Sequence, residues 1–277
     1  MIFEDIFDSA EQAASSAIKI NDGDYFNEDG LLMCGKCNTP KQTRFELFGR
    51  IKTPMCICEC ENAKLKAEEK QRNFSKRVEK LREIGLTDSK MLNWRFEHED
   101  GENKELSALA RKYVEHFPEM KDRGKGLLLF GSVGTGKTYI AVCIANELID
   151  RGYPCLVTSF ARLVNKIGGL YTDKQEFIDG LNRFDLLVID DLAAERDTEF
   201  MGEIVQNIID SRYRSGKPLI VTTNLTGEEL QNPADIRKQR TYSRLYEMCI
   251  PFCVKGNDRR QKKLRSDYAG VKNLLGL

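Results

Sequence analysis

The sequence predicts an α/β fold: a parallel sheet flanked by helices, built around a phosphate-binding loop, with a small cysteine-bearing N-terminal domain and a linker helix in front of it. Three observations predict it. A glycine-rich stretch, GSVGTGKT from Gly131 to Thr138, stands between a short apolar run and a helical pattern. Strand-like and helix-like segments then alternate to about residue 254, as in a parallel sheet covered on both faces. Five cysteines lie at short spacing between Cys34 and Cys60, in a segment with too few apolar residues for a core of its own.

The loop is the element around which the rest is arranged. Gly126 to Phe130 before it is a buried-strand run, and Tyr139 to Asp150 after it is a helix with Ile140, Ile144 and Leu148 on one face. Glycines let the backbone curl so that successive N–H groups point at one anion, and the helix N-terminus adds partial positive charge. Gly131, Ser132, Val133, Gly134, Thr135, Gly136, Lys137, Thr138 and Tyr139 are therefore the candidate nucleotide contacts. Lys137 is expected to reach the β- and γ-phosphates of ATP, and the Thr138 hydroxyl to ligate Mg²⁺.

The 277 residues carry 31% charged and 41% hydrophobic side chains with a formal net charge of zero, so no whole-chain basic field points to nucleic acid. The charge is unevenly spread. Residues 1–30 hold eight acids and one base, whereas residues 237–265 hold ten bases and two acids. No apolar run is long enough to span a bilayer, and the acidic start is unlike a signal peptide, so a cytoplasmic location is expected.

Taken in order, residues 1–20 read either as a short amphipathic helix or as a frayed terminus, and 21–33 as loop. Cys34 and Cys37 have the two-residue gap that lets two thiolates reach one ion, and Cys56, Cys58 and Cys60 offer the other half. Four of the five would hold a structural Zn²⁺, and spacing leaves open which of Cys56, Cys58 and Cys60 is spare. His98 and His116 stand isolated and read as ordinary surface or core residues. Glu61 to Ile84 reads as a charged linker helix ended by Gly85. Thr87 to Gly101, with the sole tryptophan, Trp94, is the boundary segment, and Leu106 to Phe117 is a helix stopped by Pro118. The expected division is an N-terminal zinc- and partner-binding domain with linker helix over 1–85 and an ATPase domain over 86–277.

A second chemical motif follows the loop. Asp185 to Asp191 is an apolar strand that delivers Asp190 and Asp191 to its C-terminal end, where ligands of open α/β sheets gather. Asp190 would hold Mg²⁺ and Asp191 would orient or activate the attacking water. Leu219 to Thr223 is the next buried strand, and Asn224 at its end can bond both water and γ-phosphate. A helix over Ile236 to Met248 bears Arg237, Arg240 and Arg244. A last strand, Ile250 to Val254, leads to Arg259, Arg260 and a basic tail. The basic stretch from Arg237 to Arg265 is a candidate for sequence-independent contact with a DNA backbone.

This order of phosphate loop, acid pair, polar strand end and late arginine-bearing helix resembles the AAA+ ATPases. In GSVGTGKT, LLVIDDLAAER, SRYRSGKPLIVTTN, TYSRLYEMC and GNDRR it is similar to the DnaC/DnaI-type replicative helicase loaders, over about residues 30–265. The cysteine segment, LLMCGKCNTPKQ with PMCICECE, is similar to zinc-bearing N-terminal domains of that group. The resemblance implies a chain that holds a DnaB-like replicative helicase, places it on single-stranded DNA, and self-associates through its ATPase domains. It implies sensor 1 at Asn224, a trans-acting arginine finger at Arg244 and sensor 2 at Arg259 or Arg260. Asp191 stands where many AAA+ proteins carry Glu, which suits slow hydrolysis. IstB-type transposition helpers share the ATPase domain and are the alternative, and an ATP-binding switch with negligible turnover is a third reading.

Overall fold

The computed structural model describes residues 20–170, 172–193, 199–233, 235–260, 268, 272, 274 and 275. The reading of residues 1–20 as an amphipathic helix, the end of LLVIDDLAAER and the basic residues 262, 263 and 265 therefore lie outside the described residues, save Ile20. The chain divides into two compact units, Met1–Lys76 and Arg77–Leu277.

In the first unit two short hairpins surround the cysteines. Strand β1 (Tyr25–Phe26) pairs antiparallel with β2 (Leu32–Met33), so the stretch read as loop contains a hairpin. The Asn27 side chain closes it by accepting the Leu31 N–H at 2.8 Å. Strand β3 (Phe45–Leu47) pairs with β4 (Arg50–Lys52) through Phe48 and Gly49, which both take left-handed backbone angles, as a tight hairpin turn requires. Helix α1 (Glu59–Gly85) starts among the second group of cysteines, two residues before the predicted start.

The second unit is a layered α/β domain. The end of α1 is followed by two 3₁₀ turns, Ser89–Asn93 and Phe96–His98, and then by α2 (Lys104–Glu115) and α3 (Phe117–Asp122). Pro118 ends one helix by opening another, because its fixed φ and missing N–H suit the first turn. Next come β5 (Gly126–Phe130), α4 (Lys137–Asp150), β6 (Cys155–Ser159), α5 (Phe160–Gly168) and α6 (Lys174–Gly180). The remainder is β7 (Leu186–Leu192), α7 (Glu199–Ser215), β8 (Leu219–Thr223), α8 (Gly227–Gln231), α9 (Ile236–Met248) and β9 (Cys249–Cys253). The five strands form one parallel sheet in the order β6-β7-β8-β5-β9. The chain leaves β5 for the far edge and returns strand by strand, so β5 sits where the winding reverses. Loops at the carboxyl ends of such strands make the ligand crevice.

Each sheet face has its own core. Leu127 and Leu129 of β5 pack with Ile140, Ile144 and Leu148 of α4, and Leu128 packs with Phe160, Ile208 and Leu245 on the other side. This alternation explains why the strands read as unbroken apolar runs: both faces are covered. Val78 and Leu81 of the predicted α1 stripe pack on the first core, while Phe74 and Ile84 remain exposed.

Arg212 is among the largest fully buried side chains of the described residues, only 1% exposed. Its guanidinium donates to the carbonyl oxygens of Phe184, Asp185 and Pro218, where β7 and β8 begin. Burial pushes its pKa down to about 10, so it stays charged at neutral pH and fastens the N-terminal ends of two adjacent strands.

Candidate functional site

The loop after β5 turns through Gly131, Gly134 and Gly136, all with positive φ. At Gly134, φ +77°, a Cβ would come within 1.9 Å of the Asp258 carboxylate oxygen and 2.9 Å of its Cα, so any other residue would be strained there and would displace Asp258. Lys137 opens α4 and is almost wholly buried. Its ammonium donates to the carbonyl oxygens of Gly131 at 2.8 Å and Ser132 at 2.7 Å, and to Asn224 Oδ1 at 2.9 Å. Burial lowers the pKa of Lys137, and Asp191 and Asp190 oppose that.

The acids reach the loop because of a local irregularity in β7. The β7–β8 pairing shifts between Ile189 and Leu192, and Asp191 takes φ 58°, a left-handed angle uncommon for a non-glycine residue. The shift sends consecutive carboxylates to different partners. Asp190 Oδ1 accepts from the Thr138 hydroxyl at 2.7 Å and from the Thr222 hydroxyl. Asp191 faces Asn224, whose amide lies 3.4 Å from its Oδ1, while its N–H donates to Thr222 Oγ1. Burial raises the pKa of Asp191, and the neighbouring Asp190 adds to the rise. Thr222, not singled out in the sequence reading, bonds the Asp190 carboxylate and the Asp191 backbone N–H; its position next to last in a buried strand carried no sign of that.

These groups border a cavity of about 440 Å³ lined by Val133 to Tyr139, Asp191, Asn224, Arg259 and Arg260. Three further lining residues, Trp94, His98 and Asp100, come from the boundary segment. Arg259 lies beside Gly136 and pairs with Asp100 at 3.0 Å. Arg260 makes no ion pair among the described residues, and its charge acts on Lys137 and Asp191. Arg244 does not line this cavity; it pairs with Asp210 of α7. Of the other bases in the basic stretch, Arg237 pairs with Glu199 at 3.1 Å.

The set fits Mg-ATP. Backbone N–H groups at a helix N-terminus and an ammonium suit phosphates, and a hydroxyl sharing a carboxylate suits a hard cation.

In the first unit the sulfur atoms of Cys34, Cys37, Cys58 and Cys60 all lie within 4.8 Å of one another. Cys34 and Cys60 are 3.6 Å apart and Cys58 and Cys60 3.4 Å. Sulfurs bound to one tetrahedral zinc at about 2.3 Å would be about 3.8 Å apart, so the four thiols fit that ion. Cys56 lies outside this cluster, its sulfur turned to the Pro40 carbonyl oxygen at 3.4 Å. The first two cysteines form a knuckle in which the Asn38 N–H donates back to the Cys34 carbonyl oxygen at 2.9 Å. The Thr39 hydroxyl, aided by the Cys60 N–H, lowers the Cys37 thiol to about 6, which favours the thiolate that a metal needs.

Comparison with known proteins adds the following. The family model described as IstB-like ATP binding protein matches residues 55–266. Replicative helicase loader DnaC of Escherichia coli (strain K12) is 33% identical over 143 residues, covering 50% of this chain and 56% of that protein. Replicative helicase loader DnaI of Bacillus subtilis (strain 168) is 25% identical over 150 residues, covering 50% of this chain and 48% of that protein. The chain thus spans about half the length of these curated relatives. Among solved structures, a crystal structure of DnaI superposes with a TM-score of 0.54 at 26% identity, covering 66% of this chain and 99% of that one.

Proposed function

Because the chain belongs to the family of IstB-like ATP-binding proteins, we propose that it binds Mg-ATP at the glycine loop and uses it to load a ring-shaped replicative helicase onto single-stranded DNA. One observation carries the nucleotide half: Lys137, the Thr138–Asp190 pair and the Asn224–Asp191 pair converge at one loop. The helicase half rests on the relatives, which are named replicative helicase loaders.

The residues take these roles. Loop N–H groups and Lys137 hold the β- and γ-phosphates, and Thr138 and Asp190 hold Mg²⁺. Asp191 orients the attacking water, with Asn224 bonding both that water and the γ-phosphate. When bound, Mg²⁺ supplies charge neutralisation on the phosphate oxygens. The charge of Arg260 acts on Lys137 and Asp191 whereas Arg259 is engaged by Asp100, which favours Arg260 as the sensor 2 residue. Arg244 serves a neighbouring subunit's site, which requires self-association and release from Asp210. Hydrolysis is slow, and the chain acts in the cytoplasm. Among the described residues no helix is long and apolar enough to cross a membrane.

Zn²⁺ at Cys34, Cys37, Cys58 and Cys60 supplies the folding energy that the first unit's sparse apolar content does not. That unit is the helicase-binding one. The basic surface near α9 contacts the DNA backbone without reading bases.

Against the transposition-helper reading stand the relatives named helicase loaders. A pull-down that offers the host's replicative helicase and a transposase separates the two. Retention of the helicase supports the loader, and retention of the transposase alone refutes it. A turnover assay with and without single-stranded DNA separates an ATPase from a switch that only binds.

A further inference from the structure

The β3–β4 hairpin of the first unit carries an aromatic residue that its fold does not ask for. Leu47 and Arg50 face each other, so Phe48 and Gly49 form a two-residue turn, and both have positive φ, 51° and 72°. Such a turn favours Asn, Asp or Gly at its first position, because a bulky side chain is strained at a left-handed angle. Phenylalanine stands there instead and gains no burial in return, since it is 82% exposed. The turn is carried on a firm stem. The Thr43 N–H donates to the Pro54 carbonyl oxygen at 3.0 Å, and the Cys56 N–H to the Lys41 carbonyl oxygen at 2.7 Å. The Leu32 N–H donates to Gln42 Oε1 at 2.9 Å, which joins the stem to β2.

The two faces of the hairpin differ in charge. Residues opposite one another in an antiparallel pair share a face. Phe45 with Lys52 and Leu47 with Arg50 therefore make one face, and Glu46 with Ile51 the other. The first face combines an aromatic ring, Phe45 at 46% exposure, with two cations and no acid. Arg50 is exposed and makes no ion pair among the described residues. An apolar groove on a protein would bury that charge unpaired, which is costly. A polyanion that also offers flat rings suits both features, with phosphates at the cations and unpaired bases on the aromatic rings. In a duplex the base faces are already stacked on one another, so a single strand fits better.

We propose that the β3–β4 hairpin is a single-strand contact of the first unit, Phe48 and Phe45 stacking bases while Arg50 and Lys52 hold the phosphates beside them. This rests on the reading of the chain as one that acts on single-stranded DNA. The contact reads no sequence, because every base offers a flat face. Stacking of a base on an aromatic side chain is worth about 5- to 100-fold in affinity. That gain accounts for an aromatic residue at a turn position where Asn or Gly would be less strained.

The test uses the full chain with Mg-ATP and two labelled probes, a thymidine oligonucleotide and an abasic strand of the same length, which keeps the phosphates and lacks the bases. Phe48→Asn suits the left-handed turn, so it should fold at least as stably as the original chain and keep the same metal content. It is expected to weaken binding of the thymidine strand by roughly 5- to 100-fold and to leave the abasic strand unchanged. Arg50→Gln is expected to weaken both strands alike and to flatten the slope of log affinity against log salt by about 0.7. Equal thymidine-strand affinity in the original chain and Phe48→Asn overturns the hairpin contact, while DNA contact elsewhere on the chain stands. Equal losses for the two strands in Phe48→Asn overturn base stacking. Loss of helicase retention by Phe48→Asn, with strand affinity intact, overturns the proposal and assigns the hairpin to a protein partner. Failure of the original chain to bind either strand overturns the single-strand reading and the hairpin contact with it.

Discussion

Replacing Lys137 by Ala is the sharpest perturbation of the nucleotide site. The ammonium is nearly buried and already held by three oxygen acceptors at the rim of the loop. On binding, it exchanges these for phosphate oxygens that carry full negative charge. A unit charge pair at 4 Å is worth about 4 kcal/mol at the effective dielectric of a partly exposed protein site. Each of the three contacts given up is replaced by a hydrogen bond to a phosphate oxygen, so the exchange offsets only about 1 kcal/mol of that. A net loss of about 3 kcal/mol remains, or roughly a hundredfold in affinity. Isothermal calorimetry with Mg-ATP and a non-hydrolysable analogue, on the original chain and on Lys137→Ala, measures it. An affinity that stays the same would falsify the assignment of the loop as the phosphate site.

Other outcomes follow from the same geometry. Purified protein should contain about one zinc per chain. Cys56→Ser should keep that zinc and Cys58→Ser should lose it, by elemental analysis, and chelation should leave ATP binding largely intact; a metal-free chain with a folded first unit would remove the structural role. Arg212→Met should lower stability by about 2–5 kcal/mol in denaturant unfolding, because it strands interior carbonyl groups at about 1–3 kcal/mol each; a change under about 1 kcal/mol would show that these carbonyls find other partners. Arg244→Ala should keep nucleotide affinity but lose hydrolysis and nucleotide-dependent self-association, and mixing it with Lys137→Ala chains should restore some turnover; no rescue would assign Arg244 to its pair with Asp210 alone. Binding to single strands should weaken steeply with salt and show little base preference, and salt-independent binding would remove backbone contact from the account.

The sheet was legible in the sequence because a strand buried on both faces reads as an apolar run, as Gly126 to Phe130 and Leu219 to Thr223 do. The loop was legible because its chemistry needs particular residue types at fixed spacing. Other features had no such signal. Trp94 and His98 reach the cavity through two 3₁₀ turns, which have no periodicity to read, and only the tertiary contacts of Asn146 and Tyr139 bring them there. Arg212 lies on an amphipathic helix, where a charge is assigned to solvent by default, yet it is buried because three carbonyls need a donor. Choosing between Cys56, Cys58 and Cys60 needed the start of α1 at Glu59, which joins Cys58 and Cys60 to the cluster while Cys56 turns to Pro40. The left-handed turn at Asp191 depends on the β7 irregularity and has no residue-type signature.

If ATP at this loop drives placement of a helicase on DNA, helicase transfer must depend on the loop and its nucleotide. The quantity to measure is the amount of the host's replicative helicase transferred to circular single-stranded DNA by this chain, with Mg-ATP, without it, and with Lys137→Ala. Transfer is expected from the original chain with Mg-ATP, and little transfer without nucleotide or with the variant. Equal transfer in all three reactions, or none with the original chain and Mg-ATP, would contradict it.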